Sequence, residues 1–163
     1  MTAGQGMNQH DFLLQRVQPA MVGLIDGSLS TLAPIFGIAL YTHKPHAAFI
    51  AGLATAIGAA ISMAYSEGLS DTGELTGRGN PVSRGIITGG GTFAGGILHT
   101  LPFLIPNYHA ALVTAAIVVA LELVGLAVIR WKLFDTSFTR SLLHLVLGGA
   151  VIAIVGATVG AAG

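Results

Sequence analysis

Long apolar stretches alternate with short polar segments along the chain. No Asp, Glu, Lys or Arg occurs in the 37 residues from Gly85 to Leu121, or in the 23 residues from Ser141 to Gly163. A helix needs about 20 apolar residues to cross a bilayer, so stretches of this length predict an all-α integral membrane protein. Five transmembrane helices are predicted, over about residues 17–40, 46–69, 82–105, 110–130 and 141–162.

The basic residues predict how these helices are oriented. Residues 1–16 and the loops at 68–84 and 130–140 share one side of a five-span topology and hold six Lys or Arg side chains, whereas the other side has only Lys44. Basic residues favour cytoplasmic loops. The pattern therefore predicts a cytoplasmic N-terminal segment, a transmembrane domain over residues 17–162, and a C-terminus outside the cytoplasm.

Composition excludes several classes of function. Hydrophobic residues make up 53% of the chain and charged residues 9%, and the net charge is zero, whereas a nucleic-acid-binding protein would carry clustered Lys and Arg. Because cysteine is absent, disulfides and thiolate metal sites are excluded. Neither a GxxxxGK[ST] phosphate loop nor HExxH occurs, and the first residues do not resemble a signal peptide. We predict neither an enzyme nor a permanently bound cofactor.

Small residues at four-residue spacing predict close contacts between helices. Such a stripe runs over residues 48–64 of the second helix and fits packing within one chain as well as a homodimer interface. The glycine pairs Gly85–Gly89 and Gly91–Gly95 predict that the third helix lies inside the bundle. Pro34, inside the first helix, predicts a kink.

Asp26 is the one carboxylate in the first apolar stretch. A carboxylate at such depth costs ~2.5 to 3.5 kcal/mol on insertion scales, so it is a candidate functional group. Gly23 and Gly27 form a GxxxG pair around it, which would allow the carboxylate to meet its symmetry mate at a dimer axis. Met63 is predicted at a comparable depth on the second helix. A thioether beside a carboxylate suits a first-row transition metal better than Mg²⁺ or Ca²⁺, although a methionine such as Met63, taken alone, is more often an ordinary core residue than a ligand.

Three further carboxylates follow the second helix. Glu67, Asp71 and Glu74 are spaced i, i+4 and i+7, so they would share one face if the helix continued into the loop. Such a row would attract cations and supply oxygen ligands. The alternative is a solvated acidic turn paired with Arg78 and Arg84.

Glu122 lies within the fourth predicted helix and needs a partner there. The available partner types are His99, His144 and the threonines Thr88 and Thr92. A proton relay that includes His99 and a neutral, hydrogen-bonded structural acid are both consistent with such a position.

Four motifs resemble the vacuolar iron transporter family, and most closely the membrane domain of bacterial membrane-bound ferritin. They are DGSLSTLAP (Asp26–Pro34), AISMAYSEGLSD (Ala60–Asp71), LTGRGNP (Leu75–Pro81) and HTLPFLI (His99–Ile105). The resemblance implies a five-helix protomer that forms a homodimer, with a path for ferrous iron between protomers and exchange for protons. It matches Asp26 and Met63 to the family's translocation residues. Glu67, Asp71 and Glu74 match only the ferritin-linked branch.

The resemblance leads to a specific functional hypothesis. The protein would export ferrous iron, with manganese as an alternative cargo, across a bacterial inner membrane by proton antiport. Two features differ from family members: only about 15 residues join the second and third helices, where eukaryotic members carry a glutamate-rich segment, and ~16 residues precede the first helix, where the bacterial branch has a ferritin-like domain. The alternatives are a passive cation or small-solute channel, and a membrane anchor for a ferritin-like partner.

Overall fold

The structure is a computed structural model that describes residues 8–134 and 136–162. Within these residues the chain is helical and forms no strand, so the all-α prediction is confirmed. Five long helices follow one another along the chain. They are α1 (Gln9–Thr42), α2 (Pro45–Ser70), α3 (Pro81–Leu98), α4 (Tyr108–Phe134) and α5 (Phe138–Ala162).

The first helix starts earlier than the hydrophobic pattern predicts. Helix α1 begins at Gln9 instead of near residue 17, because Asn8 caps it: the Asn8 side chain accepts a hydrogen bond from the Asp11 backbone N–H at 2.8 Å. Asparagine is a favoured N-cap because its side chain satisfies a free backbone donor. Of the predicted N-terminal segment, residues 9–16 are therefore helical, and residues 1–7 lie outside the described residues.

Four of the five helices can cross a membrane by length and hydropathy, namely α1, α2, α4 and α5. These helices identify a membrane protein. The predicted fifth span, α3, does not belong to this set, because its 18 residues include Arg84 and six glycines, which lower its hydropathy.

Helix α3 lies between α1 and α2, as its glycine pairs predict. A Cβ atom on Gly91 would lie 2.7 Å from the carbonyl oxygen of Ala20 in α1, and a Cβ atom on Gly89 would lie 2.7 Å from that of Ala60 in α2. Glycine at these positions therefore permits backbone-to-backbone approach on two faces of α3.

The small residues of α2 also pack within the chain. Ala48, Gly52 and Ala56 are buried, and a Cβ on Gly52 would approach the Thr100 side chain within 2.6 Å. This part of the stripe is occupied by intramolecular packing, which is the first of the two predicted alternatives.

The α1–α3 contact gives a direct stability prediction. A methyl group at Gly27 would collide with the Thr92 carbonyl oxygen and lie 2.9 Å from the Gly96 backbone nitrogen. Overpacking of this kind costs about 1–3 kcal/mol, so we expect Gly27→Ala to lower the thermal unfolding midpoint in detergent. The matched control is Gly90→Ala on α3, whose Cβ would meet nothing within 4 Å. Equal losses in both variants would contradict the proposed contact.

Helix α1 is interrupted at Thr31, between the segments Gln18–Ser30 and Leu32–Thr42. Pro34 has no N–H to donate to the carbonyl of Ser30, so the hydrogen bonding of this turn is incomplete. The interruption therefore lies three residues before the proline at which the sequence predicts a kink. It separates the two halves of a membrane-spanning helix.

Helix α3 ends at Leu98, whereas the sequence predicts an end near residue 105. Pro102 cannot donate to the Leu98 carbonyl, and a 3₁₀ turn over Leu101–Leu104 follows. His99 consequently lies at the end of α3 and not inside it. Its backbone is at φ −88° and ψ 0°.

The start of α1 and the loop after α2 lie at the same end of the bundle. The Gln15 side chain donates to the Gly77 carbonyl at 3.1 Å, and Arg16 donates to the Ser83 hydroxyl. The end of α5 packs instead against the far half of α1, where Gly160 meets Gly37. The two ends of the described chain are therefore at opposite ends of the bundle.

Candidate functional site

A buried polar network connects α1, α4 and the end of α3. The Nδ1 atom of His99 lies 2.8 Å from one Glu122 carboxyl oxygen, and the Ser28 hydroxyl donates to the other at 2.7 Å. The Nε2 atom of His99 lies 2.5 Å from the Thr31 hydroxyl. Only 1% of the His99 side chain and 8% of the Glu122 side chain are exposed. Glu122 therefore has a partner of one of the predicted types.

Two apolar clusters enclose this network along the bundle axis. One contains Met21, Leu126 and Leu145 toward the start of α1, and the other contains Ile35 and Phe103 toward its end. The network also lies at the interruption of α1. Ser28 belongs to the turn just before the interruption, and Thr31 is the residue at which the helix is interrupted. Helix packing thus holds the Glu122–His99 pair beside the interruption of a membrane-spanning helix.

Asp26 lies two residues before the network, on another face of α1. Its side chain is half-buried, and no ion pair in residues 8–134 and 136–162 involves it. Ser30 follows four residues later and shares its face. The Ser30 hydroxyl oxygen is buried and has no hydrogen-bond partner in the described part of the chain. A carboxylate and an unpaired hydroxyl therefore lie on one face of the helix.

The GxxxG pair around Asp26 packs within the chain. Gly23 and Gly27 lie against the backbone of Thr88 and Thr92 in α3. The close contact that the pair predicts is therefore made with α3, and a meeting of two Asp26 carboxylates at a dimer axis stays a prediction. Met63 is half-buried on α2.

The carboxylates after α2 meet two arginines. The same oxygen of Glu67 accepts from Arg78 at 2.7 Å and from Arg84 at 2.8 Å. One Asp71 oxygen accepts from Arg78 at 3.2 Å and from Arg84 at 3.3 Å. Only 1% of the Arg84 side chain is exposed. We refer to Glu67, Asp71, Arg78 and Arg84 as the arginine cluster. It agrees with the second of the two predictions made for these carboxylates, an acidic turn paired with Arg78 and Arg84.

The row Glu67, Asp71 and Glu74 does not lie on one helix face. Helix α2 ends at Ser70, and Asp71 is extended, at φ −161° and ψ 159°. Gly73 then takes a positive φ of 83°, which a continued helix would not allow and which glycine adopts at little cost. Glu74 is exposed in the turn that follows.

Asp71 also stabilises the loop itself. Partial desolvation opposes its ionisation. Hydrogen bonds from the Thr76 hydroxyl and the Gly73 backbone N–H, together with Arg84 and Arg78, nevertheless hold the pKa of Asp71 below its usual value. The charged carboxylate is therefore the favoured form in this turn.

No group of three His, Asp or Glu side chains in residues 8–134 and 136–162 is arranged to hold a metal ion. His144 is exposed on α5 and does not pair with Glu122, whereas Thr88 and Thr92 are buried against α1. The structure thus brings together Glu122 and His99, but not the five predicted metal ligands within one chain.

The sequence reasoning missed Ser28 and Thr31. Both are hydroxyl residues within the first apolar stretch, where a polar side chain needs a partner or bonds its own helix. Both hydroxyl oxygens also lie within hydrogen-bond distance of carbonyls one turn earlier, Ser28 at 2.7 Å from Leu24 and Thr31 at 2.9 Å from Gly27, and each hydroxyl has one proton to direct to one of its acceptors. Those local bonds are the common role of such residues and gave no reason to connect them with Glu122.

Comparison with known protein families provides independent information about the first two helices. Residues 17–75 match the model of the VIT family. This match supports the predicted membership of the vacuolar iron transporter family, over 59 of the 163 residues. No curated protein and no solved structure matches the chain.

The match to this family suggests a membrane transporter of metal ions. The matched segment contains all five predicted metal ligands, which are Asp26, Met63, Glu67, Asp71 and Glu74. His99 and Glu122 lie outside it. The buried pair is therefore a feature that the structure adds to the family match.

Proposed function

We propose that the protein exports ferrous iron from the cytoplasm by exchange for protons, with manganese as an alternative cargo. The observation that carries this proposal is Asp26, a half-buried carboxylate without a cation partner in the described residues, inside a membrane-spanning helix that matches the vacuolar iron transporter family. Uncompensated carboxylates at this depth are costly and mark ion pathways.

Asp26 would hold the metal ion together with nearby oxygen and sulfur ligands. The unpaired Ser30 hydroxyl on the same helix face supplies an oxygen. Met63 would supply a thioether, which favours a transition metal over Mg²⁺ or Ca²⁺. When the metal leaves, a proton would replace it on the Asp26 carboxylate.

A homodimer would complete this site. One chain provides no group of three His, Asp or Glu side chains for a metal in its described residues. In a twofold dimer each residue occurs twice at a self-complementary interface, so two Asp26 carboxylates and two Met63 thioethers could surround one ion. Two carboxylates close together would share a proton until a divalent cation displaces it.

Metal recruitment would begin at the end of α2. Glu74 is exposed and is available to cations, whereas Glu67 and Asp71 are already bound to Arg78 and Arg84. A metal ion would therefore reach Glu74 first. It would bind Glu67 or Asp71 only by displacing an arginine.

The orientation and the driving force are consistent with export. The positive-inside rule places this end of the bundle in the cytoplasm, which in the bacterial inner membrane makes transport outward. Moving two charges out against 100 mV costs about 4.6 kcal/mol. Exchange for protons would offset this cost, and Glu122 with His99 would act as a proton relay.

Metal binding by the purified protein tests the shared site. We expect ferrous iron or Mn²⁺ to bind with one ion per two chains, measured by calorimetry under anaerobic conditions with detergent-solubilised protein. One ion per chain would contradict a site shared between protomers. A protein that binds neither metal would support the alternative role as a membrane anchor for a ferritin-like partner.

A further inference from the structure

We propose that the Glu122–His99 pair is a second site, besides Asp26, that holds an exchanged proton, and that the Thr31 hydroxyl couples the loss of this proton to the interruption in α1. This inference rests on the proton exchange proposed above and names a further group that carries a proton and the segment that responds. It goes beyond a proton relay, because it links the protonated form of the Glu122–His99 pair to the conformation of α1 seen in this structure.

The hydrogen bonds of the network are consistent with this proton. A hydroxyl has one proton to donate, and the Thr31 hydroxyl lies 2.9 Å from the Gly27 carbonyl. When Thr31 donates its proton there, the Nε2 atom of His99 donates to the Thr31 oxygen, from which it lies 2.5 Å. The Nδ1 atom, 2.8 Å from Glu122, meets a carboxyl oxygen.

Two arrangements satisfy these contacts, and both hold one proton more than a carboxylate with a neutral imidazole. In one, His99 is an imidazolium that donates from both nitrogens to Thr31 and to the Glu122 carboxylate. In the other, Glu122 is a carboxylic acid that donates to Nδ1. Either arrangement makes the pair neutral overall, which favours its burial, since an unpaired charge at this depth is costly.

Removal of the proton breaks one bond of the network. If His99 keeps its Nδ1 proton for the Glu122 carboxylate, Nε2 becomes an acceptor. The Thr31 hydroxyl must then turn its proton from the Gly27 carbonyl to the imidazole. Because Thr31 is the residue at which α1 is interrupted, this turn of the helix loses a stabilising bond when the pair loses its proton.

The surroundings contain no other charge that could replace the proton. Helix α1 contributes Ser28 and Thr31 to the pair, and the end of α3 contributes His99. In the described residues, the only ion pair of Glu122 or His99 is the one that they form with each other. Within that part of the chain, no charged side chain of α2 or α5 pairs with either of them. His144 and Arg140 of α5 are exposed, Glu67 of α2 belongs to the arginine cluster, and Asp26 lies on another face of α1.

The variant Glu122→Gln separates proton binding from structure. A glutamine can accept from Ser28 and donate to Nδ1 of His99, so it imitates the protonated acid but does not titrate. We expect it to fold as wild type does and to lose about half of the proton movement per Mn²⁺ ion transported into liposomes. We also expect its Mn²⁺ uptake to depend less on pH than that of wild type. Asp11→Asn, at the exposed start of α1, is the control and should keep the wild-type pH profile.

The possible outcomes distinguish this inference from the proposed function. If Glu122→Gln transports Mn²⁺ and protons with the wild-type pH profile, the pair does not hold an exchanged proton, and the proposed antiport stands. If wild type shows no metal flux coupled to protons, the proposed function itself fails.

A measurement on the wild-type protein covers the case in which the variant does not fold. The ¹⁵N NMR signals of His99, assigned with His99→Gln, should report a change in ring protonation or hydrogen bonding as pH rises. Signals that remain constant from pH 5 to about 9, across the range in which a histidine ordinarily titrates, would overturn the inference.

Discussion

Asp26→Asn should reduce ferrous iron flux in proteoliposomes to the background of protein-free liposomes. The amide keeps the size of the side chain but loses the negative charge that attracts a divalent cation, and it cannot exchange a metal for a proton. Asp26 has no ion-pair partner in the described residues, so no cation is left uncompensated by the change. The fold should therefore survive and transport should not.

The controls for this prediction separate loss of function from loss of structure. Asp11→Asn removes the same charge at the start of α1, outside the membrane-spanning part, and should keep wild-type flux. The thermal unfolding midpoint of Asp26→Asn should lie close to that of wild type. Persistent iron flux in a folded Asp26→Asn protein would show that this carboxylate does not hold the cargo.

Arg84→Ala should lower the free energy of unfolding by about 3 kcal/mol, at the low end of the range for breaking a buried ion pair. The side chain is buried, and it joins Glu67 and Asp71 to the Gly79 carbonyl. Its loss leaves two carboxylates that Arg78 compensates only in part. The start of α3 would then be released from the end of α2.

Two variants test whether the geometry or only the charge of Arg84 matters. Arg84→Lys restores the charge without the planar fork that reaches several acceptors, and we expect it to recover only part of the stability. Arg140→Ala removes an exposed arginine and should change stability by less than about 0.5 kcal/mol. Thermal unfolding in one detergent gives all three values. A loss for Arg84→Ala no larger than that for Arg140→Ala would contradict the structural role of the arginine cluster.

The sequence predicted five long helices in their order because long apolar stretches can be seen without tertiary structure, although only four of these helices qualify as membrane spans in the described residues. It misplaced their ends where local chemistry decides. Helix α1, capped by Asn8, begins at Gln9, eight residues before the predicted start, and α3, which Pro102 cannot continue, ends seven residues before the predicted end. A cap or a missing N–H acts on a single turn and leaves little trace in hydrophobicity.

The candidate site was predictable in its residue types more than in its contacts. Glu122 required a partner inside the bundle, and His99 was one of four candidates. The contribution of Ser28 depends on the rotation of α1 against α4, which the sequence does not determine. The glycines beside Asp26 illustrate the same limit, because a GxxxG pair predicts close helix packing but not whether the neighbour is α3 or a second chain.

Simultaneous measurement of iron and protons tests the central claim most directly. Wild-type protein is reconstituted in liposomes with an acidic interior, ferrous iron is added outside, and dyes report internal iron and internal pH. We predict that iron accumulates above its external concentration while the interior becomes more alkaline, and that both changes vanish in Asp26→Asn. Iron that only equilibrates, without a change in internal pH, would contradict proton antiport and identify a passive channel.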